Sequence, residues 1–587
     1  MELFKMKYER NEYPRPQFRR DKWMNLNGEW EFEFDDDNDG AKRGLYKGET
    51  TLKDKINVPF SYQYSASGIG DKSQHDTVWY RRKFVVEKDK RALLCFNASD
   101  YETDVWINGK YAVNHKGGFT PFKADITELL EDGENVIVVR CSDGQETFYP
   151  RGKQNWRKEP FSCFYIPNTG IWQSVWIEYF DGDCVDFYKF EPDVDNRVIT
   201  GEIQTLYGKA CLAEITVSFK DEIVKKQTIT LDGKLTEFMI KLSDNDHFAF
   251  ADMLWSPEKP NLLYIDIKLF AEGKALDLAH TRLGLRKFSV DGGGKICINS
   301  RPVFQRLVLD QGYWEQSGLT PPSAEALKKD IEQSKAMGFN GARKHQKFED
   351  PYYYYYAEEL GFLTWCEMPS AYKFCTEEVQ AIVGEWMAIV CEARNFTSNI
   401  CYVPLNESWG VSAISTNTAQ QQFAKSLYFL TKALDGTRLI STNDGWDNIE
   451  ESDILSIHDY LIKNTSEFAV KYKRGEYDGL NPQGWQLFAD GHKYRGQPVL
   501  LTEFGGIAFA KDSVGKAWGY GSGAVSNEEF YDRLKELIDG ISLTEFQGYC
   551  YTQLTDVQQE INGLLYADHT PKTDINRLKE VFERYDK

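Results

Sequence analysis

Two glutamates stand where a chain could do both acid–base and nucleophilic work. VPLNESWG (403–410) carries Asn406 and Glu407 directly after an apolar run, and LLTEFGG (500–506) carries Glu503 after another, just ahead of Gly505 and Gly506. Cleavage of a glycosidic bond needs such a pair. One carboxyl group protonates the departing oxygen, and in the retaining version the other attacks the anomeric carbon from about 5–5.5 Å away. On this reading Glu407 is the general acid/base and Glu503 the nucleophile, with surroundings that keep one protonated and the other ionised. Arg343 is placed to hold Glu503 ionised, Tyr460 to donate a hydrogen bond to it, and Asn406 to bind the sugar 2-hydroxyl.

Other polar residues fall at the ends of apolar runs in the same way: Asp310, Arg343 and His345, Glu367, Trp446, His458 and Tyr460, and Gln553. All are expected to bind substrate. His345 and His458 would orient hydroxyls, unless they are satisfied core histidines. Trp409 and Trp446 would stack on a sugar or pack in the core. Glu367 would touch sugar or balance Arg343, and Asp310 and Gln553 would recognise hydroxyls. No histidine, cysteine or acidic grouping has the spacing of a zinc site. GVSAIS (410–415) lacks the spacing of a serine-nucleophile turn. No metal is expected.

The elements that must position these residues begin after Gly292-Gly293-Gly294. From there to the end, helical stretches such as SAEALKKDIEQSKAMG (323–338) alternate with short apolar runs: GFLTW (361–365), ICYVPL (400–405), ILSIH (454–458), VLLTEF (499–504) and GYCYTQL (548–554). Alternation over about 300 residues predicts a (β/α)8 TIM barrel over 289–587, with chemistry at the C-terminal ends of its strands; a doubly wound sheet is the poorer alternative. Residues 183–288 read as strands alone, for example LAEITVSF (212–219) and LLYIDIKLF (262–270), and predict a seven-stranded immunoglobulin-like β-sandwich. Residues 1–182 show short strands such as WEFEF (30–34) and NVIVVRCS (135–142), with an Asn108-Gly109 hairpin signal, and predict a jelly-roll β-sandwich.

Composition narrows the partners. The 587 residues are 41% hydrophobic and 27% charged with a net charge of −20, so neither nucleic acid nor an anionic membrane is an expected partner. The N-terminal stretch is charged and broken by proline, without the apolar core of a signal peptide. Eleven cysteines without paired spacing suggest free thiols in a reducing cytoplasm.

Beyond the two glutamates, LNGEW (26–30), VWINGKY (105–111), HKGGFTPF (115–122), NTGIWQSVWIE (168–178), LWSPEKPNLLY (254–264), LGLRKF (283–288), NGARKHQ (340–346) and RNFTSNICYVPLNESWG (394–410) together resemble glycoside hydrolase family 2, the β-galactosidase, β-glucuronidase and β-mannosidase group. The resemblance runs over essentially the whole chain. It implies a retaining exo-β-glycosidase acting on terminal β-linked sugars, Glu407 as acid/base, Glu503 as nucleophile, no organic cofactor, and a carbohydrate as the partner. A homo-oligomer is left open. Transglycosylation, and a non-catalytic carbohydrate-binding role on the same fold, are the alternatives. Departures bear on the sugar. QRLVLDQGY (305–313) lacks the family's His-Glu pair, Gln346-Lys347 replaces Tyr-Pro, and no counterpart exists of the divalent-metal ligands of large β-galactosidases. Asn562-Gly563-Leu564 lacks the lysine with which the family's glucuronidases hold a carboxylate. A β-galactoside or β-galacturonide is therefore expected, the latter if Lys344, Lys347 or Arg306 supplies a cation.

Overall fold

The computed structural model describes residues 8–86, 90–244, 248–509 and 517–584. The first sandwich packs a six-stranded sheet, ordered Asp54–Val58, Gly28–Phe34, Thr77–Val85, Glu134–Ser142, Glu102–Ile107 and Lys110–Lys116, on a four-stranded one. The second sheet runs Phe122–Asp125, Arg91–Phe96, Val175–Phe180 and Trp23–Asn25. Period-two alternation sends Trp30, Phe32, Val78, Tyr80, Val105, Ile107, Ile137 and Val139 into the space between them. Asn108 and Gly109 take φ of 52° and 73°, the left-handed pair that a tight two-residue hairpin requires.

The second sandwich has the seven strands expected within Val185–Leu283, three in one sheet and four in the other. An eighth, Phe18–Arg19, pairs with Lys274–Leu283 and comes from the N-terminal segment. Arg20 next to it is buried between Glu178 of the first sandwich and Asp277 of the second, so one guanidinium ties the two layers together.

The C-terminal region is a curled sheet of eight parallel strands. In chain order they are Gln305–Asp310, Gly341–Lys344, Leu363–Glu367, Asn399–Val403, Leu439–Ile440, Leu455–Asp459, Val499–Gly505 and Gly548–Thr552. Hydrogen-bonded ladders join every neighbouring pair except the fifth and sixth strands. That seam is crossed by the amide of Asp453, which donates to Ile440 O at 2.8 Å. Helices follow the strands, among them Ala324–Ala336, capped by Ser323, and Pro351–Leu360, capped by Asp350. Between the fifth and sixth strands the described chain has no helix; Asn443–Asp444 continues the fifth strand and residues 445–453 form a loop instead. Leu307, Leu309, Leu363, Trp365, Cys401, Val403 and Cys550 fill the barrel's interior. Trp255, Ile296 and Ile298 join the same cluster beyond the first strand's start.

Two local devices aim side chains at the mouth. The fourth strand is prolonged by Leu405–Asn406, paired to Asn443–Asp444 of the fifth, and the chain then turns through Glu407 and Ser408 at φ of 50° and 59°. Left-handed conformations cost of order 1–3 kcal/mol at non-glycine residues and persist where surroundings enforce them. Here Glu407 N donates to Asp444 O and Ser408 N to Asn443 Oδ1. In the seventh strand the register skips Thr502, so that His458 faces Glu503 directly. Such an extra residue re-aims the side chains that follow it.

Candidate active site

Arg343 lies at the centre of the mouth with its side chain completely buried. Its Nε donates to Glu367 Oε2 at 2.7 Å. Nη1 donates to Asp444 Oδ1 at 2.9 Å and Glu503 Oε1 at 3.2 Å, and Nη2 to Asn406 Oδ1 at 2.6 Å. His458 spans the next layer, with Nδ1 2.8 Å from Glu407 Oε1 and Nε2 2.7 Å from Asp444 Oδ1. Asp444, a carboxylate beside Arg343, accepts from Nε2, and Nδ1 faces the Glu407 oxygen. Tyr460 donates to Glu503 Oε2 at 2.6 Å and stacks face to face on Tyr520, their centroids 3.6 Å apart.

The electrostatics follow from these contacts. Burial alone would raise the pKa of Glu503, but His458, Arg343, His345 and the Tyr460 hydroxyl outweigh it and hold the group at about 2. Burial disfavours charge on His458, yet Glu503 and the hydrogen bonds to Asp444 and Glu407 push it up to about 10. Asp444 sits well below the ordinary carboxylate range, its burial overcome by Arg343 and His458. One oxygen of Glu407, one of Glu503 and a nitrogen of His458 all lie within 4.8 Å of each other. Those atoms are close enough to ligate a cation, but an imidazolium has no lone pair to offer one.

Most of the residues singled out in the sequence meet here: Asn406, Glu407, Arg343, His345, Glu367, His458, Tyr460 and Glu503, with Trp446 edge-on to His458 at 5.8 Å. Asn406 Nδ2 is buried without a partner. His345 Nδ1 is 3.0 Å from Glu367 Oε1. Three residues named as sugar contacts are held by the protein, Glu367 in its alternative role of balancing Arg343. Glu367 is saturated by Arg343, His345 and the side-chain and backbone amides of Gln346. Asp310 is out of phase with the inward-facing Leu307 and Leu309, and its carboxylate is taken by Lys344 Nζ at 2.6 Å and Gly312 N at 2.8 Å. Gln553 accepts from Gln311 and donates to Asn562, which in turn donates to Glu560 Oε1 at 3.0 Å. The three are supports rather than free recognition groups.

The proposed cations for a uronate are also spent elsewhere. Lys344 and Lys347 share Glu349 at 2.9 and 2.8 Å, and Arg306 Nε donates to Gly338 O. A different ammonium reaches the site. Lys153, on a loop of the first sandwich, accepts at its carbonyl from Tyr165 N at 2.8 Å, and its ammonium lies 4.4 Å above the Trp409 ring without a hydrogen bond or ion pair among the described residues. Charge on it is disfavoured by burial but supported by Cys163, Glu560, Glu407 and Glu503, which together raise its pKa. The loop is seated by Arg151 N and Gly152 N donating to Ser370 O, and by Trp156 stacking on Tyr372 at 4.7 Å. Asn155 and Arg157 serve the loop itself, bonding Tyr165 O and covering Phe161. Sequence reasoning missed Asp444, Lys153 and Glu560. Asp444 had a trace, a polar residue before Gly445 in a strand only two residues long; Lys153 and Glu560 lie in loops with no periodic pattern.

Residues 23–159 match the family model described as glycosyl hydrolases family 2, sugar binding domain. Over 330 residues the chain is 26% identical to a putative β-glucuronidase of Formosa agariphila, covering 54% of this chain and 38% of that protein. Over 487 residues it is 24% identical to a β-galactosidase of Thermoanaerobacter pseudethanolicus, covering 78% and 62%. The chain thus spans less than two thirds of the length of these relatives. The β-glucuronidase from Ruminococcus gnavus in complex with D-glucuronic acid superposes with a TM-score of 0.77 at 20% identity, covering 98% of this chain and 100% of that one. A β-glucuronidase of an uncultured Clostridium species does so equally well, at 0.77 and 20%. These structures share the fold.

The charge on His458 has a pH signature. Its folded pKa of about 10 lies above the value near 6.5 of an unfolded histidine. The stability it contributes is therefore complete below about pH 6.5 and lost as pH rises through about 10. The difference in thermal midpoint between wild type and His458→Asn should be widest near pH ~6 and shrink toward pH ~10. A difference constant over that range would mean that the folded ring is neutral.

Proposed function

We propose, from the premise that the chain belongs to glycoside hydrolase family 2, that it is a retaining exo-β-glycosidase with Glu503 as nucleophile and Glu407 as general acid/base. The observation that carries this reading is the closeness of two unlike carboxylates. Oxygens within 4.8 Å suit direct attack, whereas an inverting pair stands about 6.5–9.5 Å apart to admit a water. Glu503 is held ionised by Arg343, His458 and Tyr460, as a nucleophile must be. Glu407 is more open than Glu503, as a group that meets a leaving group and then water must be, with His458 bonded to one of its oxygens.

The steps follow from these positions. Glu503 attacks the anomeric carbon while Glu407 gives its proton to the glycosidic oxygen. The covalent glycosyl-enzyme is then hydrolysed by a water that Glu407 deprotonates. Asn406 Nδ2, the buried donor without a protein partner, is placed to bond the sugar 2-hydroxyl, a contact that strengthens as the oxocarbenium character grows. For the sugar itself, the relatives are named as β-galactosidases and β-glucuronidases. The motif Asn562-Gly563-Leu564 brings no lysine, so a uronate would be read by Lys153 instead.

Glu503→Gly should abolish turnover of aryl β-glycosides, and azide should restore it with formation of the α-glycosyl azide. A β-azide from this variant would exchange the two roles. Glu407→Ala should slow substrates with poor leaving groups by about 10²–10⁴-fold and activated aryl glycosides far less. Equal losses on both would count against proton donation by Glu407. Lys153→Met should lower kcat/KM for a β-galacturonide or β-glucuronide by about 30-fold or more while sparing the neutral galactoside, since an unpaired buried carboxylate costs several kcal/mol. Parallel losses on charged and neutral sugars would assign the ammonium to a shared hydroxyl.

A further inference from the structure

The loop that replaces the helix between the fifth and sixth barrel strands presents Trp446, and Trp446 has a companion. Trp485, from the connection between the sixth and seventh strands, stacks on it with centroids 5.6 Å apart and planes 14° from parallel. The two connections are laced by main-chain bonds: Asp447 N to Gln486 O at 2.8 Å, Asn448 N to Leu487 O at 2.8 Å, and Ala489 N to Asn448 O at 3.0 Å. Gly445 holds φ of 115° where a Cβ would come within 2.7 Å of His458 Nδ1, and Asp447 is left-handed at 47°. The tryptophan pair is therefore fixed against the site by its backbone. Yet Trp485 is 55% exposed, a large apolar surface left in water that packing of the barrel does not account for.

The direction of this ladder assigns its occupant. It begins at the turn through Glu407, where Ser408 Oγ donates to Asp447 Oδ2 at 3.1 Å and Asn443 Nδ2 donates to both Ser408 Oγ and Trp446 O, continues in Trp446 and ends on the open face of Trp485. Glu503, by contrast, is bonded by Tyr460, whose ring lies against Tyr520. The bound sugar must sit between the two glutamates, and the group attached to its anomeric oxygen must leave on the side of the proton donor. Trp446 and Trp485 stand on that side. Flat tryptophan faces hold rings at little conformational cost and dominate binding where they are rigid.

We propose that Trp446 and Trp485 are the leaving-group subsite, a stacking platform for a ring with a flat apolar face, either the C–H face of a pyranose or an aryl ring. This rests on the glycosidase reading above. The preferred substrate is then a β-glycoside whose leaving group is itself cyclic, rather than a small alkyl glycoside.

The test uses the full chain and, in galactose, glucuronic acid and galacturonic acid series, four substrates: the β-glycosyl fluoride, the methyl glycoside, the p-nitrophenyl glycoside and a disaccharide. Trp485→Ala should lower the ratio of kcat/KM for the ringed substrates to that for the fluoride by roughly tenfold or more, and Trp485→Phe should recover most of it. A fall confined to the disaccharide identifies a sugar as the occupant, and one confined to the p-nitrophenyl glycoside an aromatic group. An unchanged ratio, or equal losses on fluoride and ringed substrates, would overturn the subsite. Wild type inert toward all four, the fluoride included, would instead overturn the glycosidase reading on which it rests.

Discussion

The barrel is organised around a guanidinium taken entirely out of water. A buried cation costs several kcal/mol unless its donors are all met, and Arg343 meets them with groups from the third, fourth, fifth and seventh strands. The consequence runs outward. Asp444 can accept from both Arg343 and His458 only because the short fifth strand lies beside the prolonged fourth. His458 faces Glu503 only because the seventh strand carries an extra residue at Thr502. The bulge, the strained turn at Glu407 and the helix-free connection after the fifth strand all serve one ion lattice.

That lattice also separates the two glutamates chemically. Glu503 receives Arg343, His458, His345 and a hydroxyl, whereas Glu407 has one imidazolium partner and a more open position. The asymmetry is set by geometry that both groups share, since His458 lies between them. A single substitution in the lattice would leave its former partners buried and unpaired, so its residues are expected to be coupled rather than additive.

The sequence made much of this visible because parallel strands buried on both faces read as unbroken apolar runs, and the polar residue that ends such a run marks the barrel mouth. Glu407, Glu503, Arg343 and His458 were found that way. The same property hid the difference between neighbours. A run apolar on both faces does not reveal which residues point inward, so Asp310, out of phase with Leu309, was grouped with Arg343 although its carboxylate belongs to Lys344. Gln553 and Glu367 were correctly drawn to the mouth, but hydrogen bonds saturate them, and saturation depends on partners distant in sequence. Asp444 lies in a strand too short to carry a pattern. Lys153 sits more than 250 residues from either glutamate, where only tertiary packing connects them.

The seating of the first sandwich's loop on the barrel gives the molecule a division of labour. The glutamate pair and its ion lattice belong to one structural unit, while Lys153, over Trp409, is lent by another. Change in the sandwich loop can thus alter the charge facing the barrel mouth without disturbing the lattice beneath it. The mouth is correspondingly not built by the barrel alone. A barrel transplanted onto a different sandwich would keep both glutamates and their lattice and lose the ammonium that faces them.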